Sequence, residues 1–163
     1  MKQLFWTVGW GLVGCYSEVN ASKTNCLLEQ CGTEQDTLPN THPTEQNVLS
    51  VPLQSCSTAP LTGFYRDGYC RTGSNDRGIH VVCAEMTEEF LVYTKSKGND
   101  LSSPSPQYGF PGLKPGDRWC LCAARWTEAQ EDNVAPKVVL EATSEATLEL
   151  ITLSTLQEHV ARQ

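Results

Sequence analysis

Apolar residues fall in a few short runs separated by long polar, turn-rich stretches, and the pattern of each run predicts the element it forms. Ile79-His80-Val81-Val82-Cys83-Ala84 is rich in β-branched residues and follows the turn formers Asn75-Asp76-Arg77-Gly78, which predicts a buried strand. Next, Thr87 occupies a helix N-cap position, Glu88 and Glu89 fall in the first turn, and Lys95 and Lys97 fall in the last. Gly98 sits where a C′ glycine belongs. The Phe90–Thr94 centre of this segment has strand propensity, so its caps and end charges decide for a helix. Arg118–Ala124 reads as a strand, followed by a short helix from Thr127 and a strand over Val138–Ala142. Leu148–Thr152 reads as a last strand, before a helix capped by Ser154. Strands alternating with short helices predict a small α+β domain, with a mixed sheet and helices on one face.

Two stretches of the domain lack such periodicity. Residues 47–72 are rich in Pro, Gly, Ser and Thr, and Arg66-Asp67-Gly68 predicts a tight turn between two short extended pieces. Asn99–Gly116 carries Pro104, Pro106, Pro111, Gly112 and Pro115 and reads as a long ordered loop, the kind that often holds function in a small domain.

The first residues follow another rule. Lys2 precedes an uncharged run from Leu4 to Gly14, the length of a signal-peptide core and too short to span a bilayer. Leu12-Val13-Gly14-Cys15 resembles the lipobox of bacterial lipoproteins, which makes Cys15 a candidate lipidation site. An ordinary signal peptide, or a mis-assigned start codon and a cytoplasmic protein, are the alternatives. Residues 16–46 are dominated by Ser, Thr, Asn, Gln, Glu and Pro and cannot bury enough apolar surface to offset the entropy of ordering, so they read as a disordered tether. Asn20-Ala21-Ser22 matches a glycosylation sequon, relevant only in a eukaryotic secretory pathway. This leaves residues 47–163 as one cysteine-rich domain, large enough to support its own core.

Formal net charge over the 163 residues is -7, spread along the chain. No basic stripe is available to neutralise phosphates, which argues against nucleic-acid binding. The cell envelope or periplasm is the expected location, with membrane attachment through a lipidated Cys15. The ligand, small molecule or protein, stays open.

The domain holds Cys56, Cys70, Cys83, Cys120 and Cys122, and Cys26 and Cys31 lie in the tether. On a strand, Cys120, Cys122 and Arg118 point to one side and Trp119 and Leu121 to the other. Residues two apart on a strand are about 6.5–7 Å apart at Cα, at the edge of disulfide range, so Cys120 and Cys122 act on shared partners rather than on each other. Three readings follow. Two core disulfides form with one thiol left over; or Cys120 and Cys122 join Cys70, Cys83 or His80 around a zinc ion, although CxxC knuckles are missing; or several are inert buried thiols. His80 and Cys83 are an odd number apart, which puts them on opposite faces of a regular strand and favours a structural histidine.

Arg66, Asp67, Asn99, Asp100, Asp117 and Arg118 lie in turns or at strand starts. If the Asn99–Gly116 loop folds over Arg118, several would converge on an anion-recognising or acid/base site. Turn and capping roles are the bland alternative for the aspartates. No Ser/His/Asp order, phosphate loop or HExxH motif is present.

The string Leu53-Gln-Ser-Cys-Ser-Thr-Ala-Pro-Leu-Thr-Gly-Phe-Tyr-Arg-Asp-Gly-Tyr-Cys70 is distinctive, as are Gly98-Asn-Asp-Leu101, Phe110-Pro-Gly-Leu113 and Gly116-Asp-Arg-Trp-Cys-Leu-Cys-Ala123. Together they closely resemble a bacterial domain family of unknown function, DUF2237, from Asn47 to about Ala161. The resemblance implies a domain boundary and brings no activity, cofactor or catalytic residue. Its members often consist of this domain alone, so the export-like segment is a departure. Two functions remain in view: a small binding or structural domain with the Asn99–Gly116 loop at its contact surface, or a thiol-based redox or metal-dependent enzyme. The enzyme's site would combine Cys120, Cys122, Arg66, Arg118 and Asp117.

Overall fold

The computed structural model describes residues 45–161. The signal-like segment, nearly all of the tether, Cys15, the Asn20 sequon, Cys26 and Cys31 lie outside those residues. Within them the order is β1 (His80–Glu85), α1 (Glu88–Ser96), β2 (Arg118–Cys122), α2 (Ala123–Glu131), β3 (Lys137–Val138) and α3 (Leu153–Glu158), with short 3-10 helices between. The three strands form one sheet in the order β2-β1-β3. This is a small α+β domain.

The sheet differs from the expected mixed one: both pairings of β1 are antiparallel. Among the described residues, parallel pairing is confined to single bridges, Cys70 with Thr143 and Val138 with Val160. The Val138–Ala142 strand stops early for a local reason. The Thr143 hydroxyl donates to the Val139 carbonyl at 2.8 Å, and the Ala142 N–H turns back to the same carbonyl at 3.1 Å. These local bonds compete with the ladder and wind Leu140–Ala142 into a 3-10 turn. Leu148–Thr152 is likewise no strand, because Ser144 caps a 3-10 helix over Glu145–Glu149.

The Thr87 N-cap forms as expected, its hydroxyl accepting from the Phe90 N–H at 3.1 Å. Helix α2 starts at Ala123 rather than Thr127, and the Thr127 hydroxyl instead bonds back to the Ala123 carbonyl at 3.1 Å. Thr152, not Ser154, caps α3.

Alternation along the strands divides the interior in two. Val82, Ala84, Trp119 and Leu121 join Phe90, Trp126, Ala129 and Leu156 in the apolar core, with α2 packed on β1 and β2. Cys83 and Cys120, facing the other way, meet Cys56, Cys70 and Ala142 in a second buried cluster. The segment before β1 has little regular structure and is held by side chains. Asn47, fully buried, donates to the Glu141 carbonyl at 2.9 Å and accepts from the Leu49 N–H at 2.9 Å.

Candidate functional site

The turn before β1 is wound around one carboxylate. Asp76 is only 4% exposed, and its Oδ2 accepts from the His80 N–H at 2.8 Å while Oδ1 accepts from the Gly78 N–H at 3.2 Å. Oδ1 also lies 2.6 Å from His80 Nδ1. The imidazole is therefore fixed through Nδ1. Between Gly78 and His80, Ile79 has φ 50. A β-branched residue in the left-handed region is strained backbone, a feature that clusters at functional sites.

Across the sheet, His80 faces Cys122 in the β1–β2 register, just before a bulge at Val81. Cys122 ends β2 and is the N-cap residue of α2. Its sulfur lies 2.6 Å from the Gly78 carbonyl oxygen, as thiol donor to acceptor. Gly78 lets the groups meet. A Cβ there would stand 2.9 Å from the Cys122 sulfur and would also overlap the His80 ring. Ring and sulfur thus press on one point.

No side chain caps α2. The Ala123 N–H is occupied by the Ile79 carbonyl at 3.1 Å, and the N–H groups of Ala124 and Arg125 are among the first-turn donors that an α-helix leaves without an intrahelical partner. Negative charge on the Cys122 sulfur or on a bound oxygen is favoured there by the helix dipole. Cys122 is 6% exposed and the His80 side chain 23%, so the imidazole forms the accessible edge. The Phe64 ring lies nearly parallel to it, 18° between planes with centroids 6.2 Å apart. Tyr65 packs edge-on against Phe64, and Arg71, whose guanidinium sits 4.4 Å from the Tyr65 centroid, forks onto Asp67 at 2.6 and 2.7 Å.

The other expected candidates do not gather here. Cys120 is bridged to Cys70, and Cys56 to Cys83, so the two-bridge reading of the core cysteines is the one that holds. Cys122 belongs to neither bridge. Two reactive thiols side by side at Cys120 and Cys122 are therefore absent from this state. Arg118 is half exposed and faces Glu85 at 3.8 Å. Asp117 accepts from the Lys114 N–H at 2.9 Å, a turn role. The Arg66 guanidinium lies 4.9 Å from the Trp119 centroid, and burial lowers its pKa from the ordinary value. Asp100 binds Lys95 at 2.9 Å and the Ser102 and Ser103 hydroxyls at 2.8 Å each, while Asn99 donates to Thr94 at 3.1 Å. Within the loop Ser105 pairs with Phe110 and the Leu113 N–H donates to the Leu101 carbonyl at 2.8 Å, while the Phe110 ring packs edge-on against Trp119, 5.3 Å between centroids. Of the expected zinc ligands, Cys70, Cys83 and Cys120 converge, whereas Cys122 and His80 pair elsewhere.

The profile of a family described as uncharacterized protein conserved in bacteria, DUF2237, matches residues 46–160. The chain belongs to this family. The matched span covers every residue of the site just described, so the constellation sits inside the family domain and not on an appendage. No curated protein matches the chain. Among the described residues no helix is long and apolar enough to cross a membrane. The two disulfides are compatible with an oxidising location such as the envelope.

Proposed function

We propose that this DUF2237 domain is a thiol-dependent acyl-transfer or hydrolytic enzyme, with Cys122 as nucleophile, His80 as its proton partner and Asp76 as the positioning residue. The observation that carries the reading is the 2.6 Å Asp76–His80 contact beside the Cys122 sulfur, both pressed against Gly78. A nucleophile, a base and a third group that orients the base are the parts covalent catalysis requires. His80 takes the thiol proton and the sulfur forms a bond to a carbonyl carbon, whose π electrons move onto oxygen. The N–H groups of Ala124 and Arg125 face the developing charge. Collapse expels the leaving group with the proton from His80, and water then cleaves the thioester. The substrate class is a small activated acyl donor, an ester or a thioester.

The domain works in this proposal as an envelope protein, stapled by two disulfides and attached through a lipidated Cys15. Cys15→Ala is expected to move the protein from the membrane to the soluble fraction, and unchanged partitioning would remove the anchor. A second reading, a binding module without chemistry, is favoured by the groove of about 580 Å³ between Ala59-Pro60 and Pro111–Lys114.

Incubation of the full chain with an activated aryl ester separates the two. The enzyme reading expects release of the aryl alcohol and an acyl mass increment on the Cys122 peptide, both lost in Cys122→Ser. Absence of any acyl adduct on Cys122 would leave the binding reading standing.

A further inference from the structure

The second buried cluster has a property that two independent disulfides do not require. Cys56 and Cys70 belong to different bridges, yet the sulfurs of Cys56, Cys70 and Cys83 all lie within 4.8 Å of one another. The fourth sulfur, Cys120, is bonded to Cys70. Cys83 and Cys120 face each other in the β1–β2 register, and the other two donors come from the segment before β1. All four are at most 5% exposed, among Ala142 and Val139.

We propose that Cys56, Cys70, Cys83 and Cys120, once reduced, form a tetrahedral four-thiolate site for a single zinc ion. Zinc–sulfur bonds of about 2.3 Å set the sulfurs of such a site about 3.8 Å apart, which small side-chain rotations reach from the present cluster. The strand donors stay in place without the bridges. The Cys83 N–H is held by the Thr143 hydroxyl at 3.1 Å and the Cys120 N–H by the Thr62 hydroxyl at 2.8 Å. Reduction is supplied by a dithiol. Each disulfide takes up two electrons and two protons, and each dithiol closes to its own disulfide. The zinc ion then displaces the four thiol protons. The same four residues thus staple the domain as two disulfides in an oxidising compartment and as a zinc thiolate in a reducing one. This does not rest on the role given to Cys122.

The test uses the full-length protein, reduced with a phosphine under inert gas, supplied with zinc, desalted and analysed for metal. One zinc per chain is expected in the reduced protein and none in the oxidised protein. Cobalt in place of zinc is expected to give thiolate-to-cobalt charge-transfer absorption with tetrahedral ligand-field bands. Cys56→Ser and Cys83→Ser are expected to lose most of this absorption, and Cys122→Ser to keep it. A reduced chain that keeps its circular dichroism and binds no zinc would overturn the proposal. So would a reduced chain that unfolds despite zinc, or loss of binding in Cys122→Ser.

Discussion

Asp76 and His80, four residues apart, form a closed loop: one carboxylate holds both the backbone N–H and the ring nitrogen of the same histidine, at 2.8 and 2.6 Å. The side chain of Asp76 is fully buried, so its oxygens have no water to fall back on. Asp76→Asn replaces one acceptor by a donor that faces an N–H or the ring. A loss of about 1–3 kcal/mol is expected in urea unfolding, with the fold retained. A stability equal to that of the parent protein would mean that the carboxylate is not holding the turn.

The bridges close loops of 27 and 50 residues. Removal of either, as the double Cys→Ser variant of its own pair, is expected to cost about 2–5 kcal/mol in metal-free oxidising buffer, slightly more for Cys70–Cys120. Equal denaturation midpoints for the variants and the parent would show that the bridges are not what staples the segment before β1.

Trp126 is fully buried, and its indole N–H donates to the Pro136 carbonyl at 3.1 Å. Trp126→Ala is expected to cost about 3–5 kcal/mol, a large fraction of the roughly 5–15 kcal/mol that holds a domain folded. Thermal melting followed by near-UV circular dichroism reads the outcome.

Arg118 and Glu85 are exposed and 3.8 Å apart. Arg118→Ala is expected to change stability by less than about 0.5 kcal/mol and to leave the reactivity of Cys122 unchanged. A large effect on that reactivity would return Arg118 to the site.

Lys95, with help from the Ser103 and Ser102 side chains, holds Asp100 well below the usual carboxylate range against an opposing desolvation effect. A carboxylate depressed in the folded state contributes stability that is present above its unfolded pKa and lost as pH falls through the folded one. Because Asp100 is largely solvated, the contribution is small. Comparison of the protein with Asp100→Asn in urea should give a difference that is constant near neutral pH and shrinks below about pH 4. A difference that grows as pH falls would contradict the assignment.

Much of this fold is legible in the chain because its signals are local. The Thr87 cap, the glutamates after it and Gly98 specify α1 without help from other segments. The β-branched run specifies β1. The failures occur where a hydroxyl chose a local partner. Thr143 bonds the Val139 carbonyl just past the strand's end at Val138, and Thr127 bonds back into a helix whose start it was expected to mark. The site itself was hidden for a different reason. Odd spacing separates His80 from Cys83 only on a regular strand, and the bulge at Val81 breaks that regularity; the partner of His80 is on β2, and neither a bulge nor cross-strand register can be read from the spacing of one strand. Asp76 read as an ordinary turn residue, which it also is. The one local clue was Asp76 four residues before His80 with Gly78 between them, a spacing that lets one carboxylate reach both N–H and ring.

Alkylation of Cys122 in the native full-length protein tests the proton link to His80 most directly. Iodoacetamide is applied at pH 7 and the Cys122 peptide quantified over time for the parent protein, His80→Gln and Asp76→Asn. Parent Cys122 is expected to react about tenfold or more faster than in His80→Gln, the equivalent of one pH unit in thiolate fraction, with Asp76→Asn between them. Equal rates in the parent and His80→Gln, or no reaction until the protein is denatured, would contradict a Cys122–His80 catalytic pair.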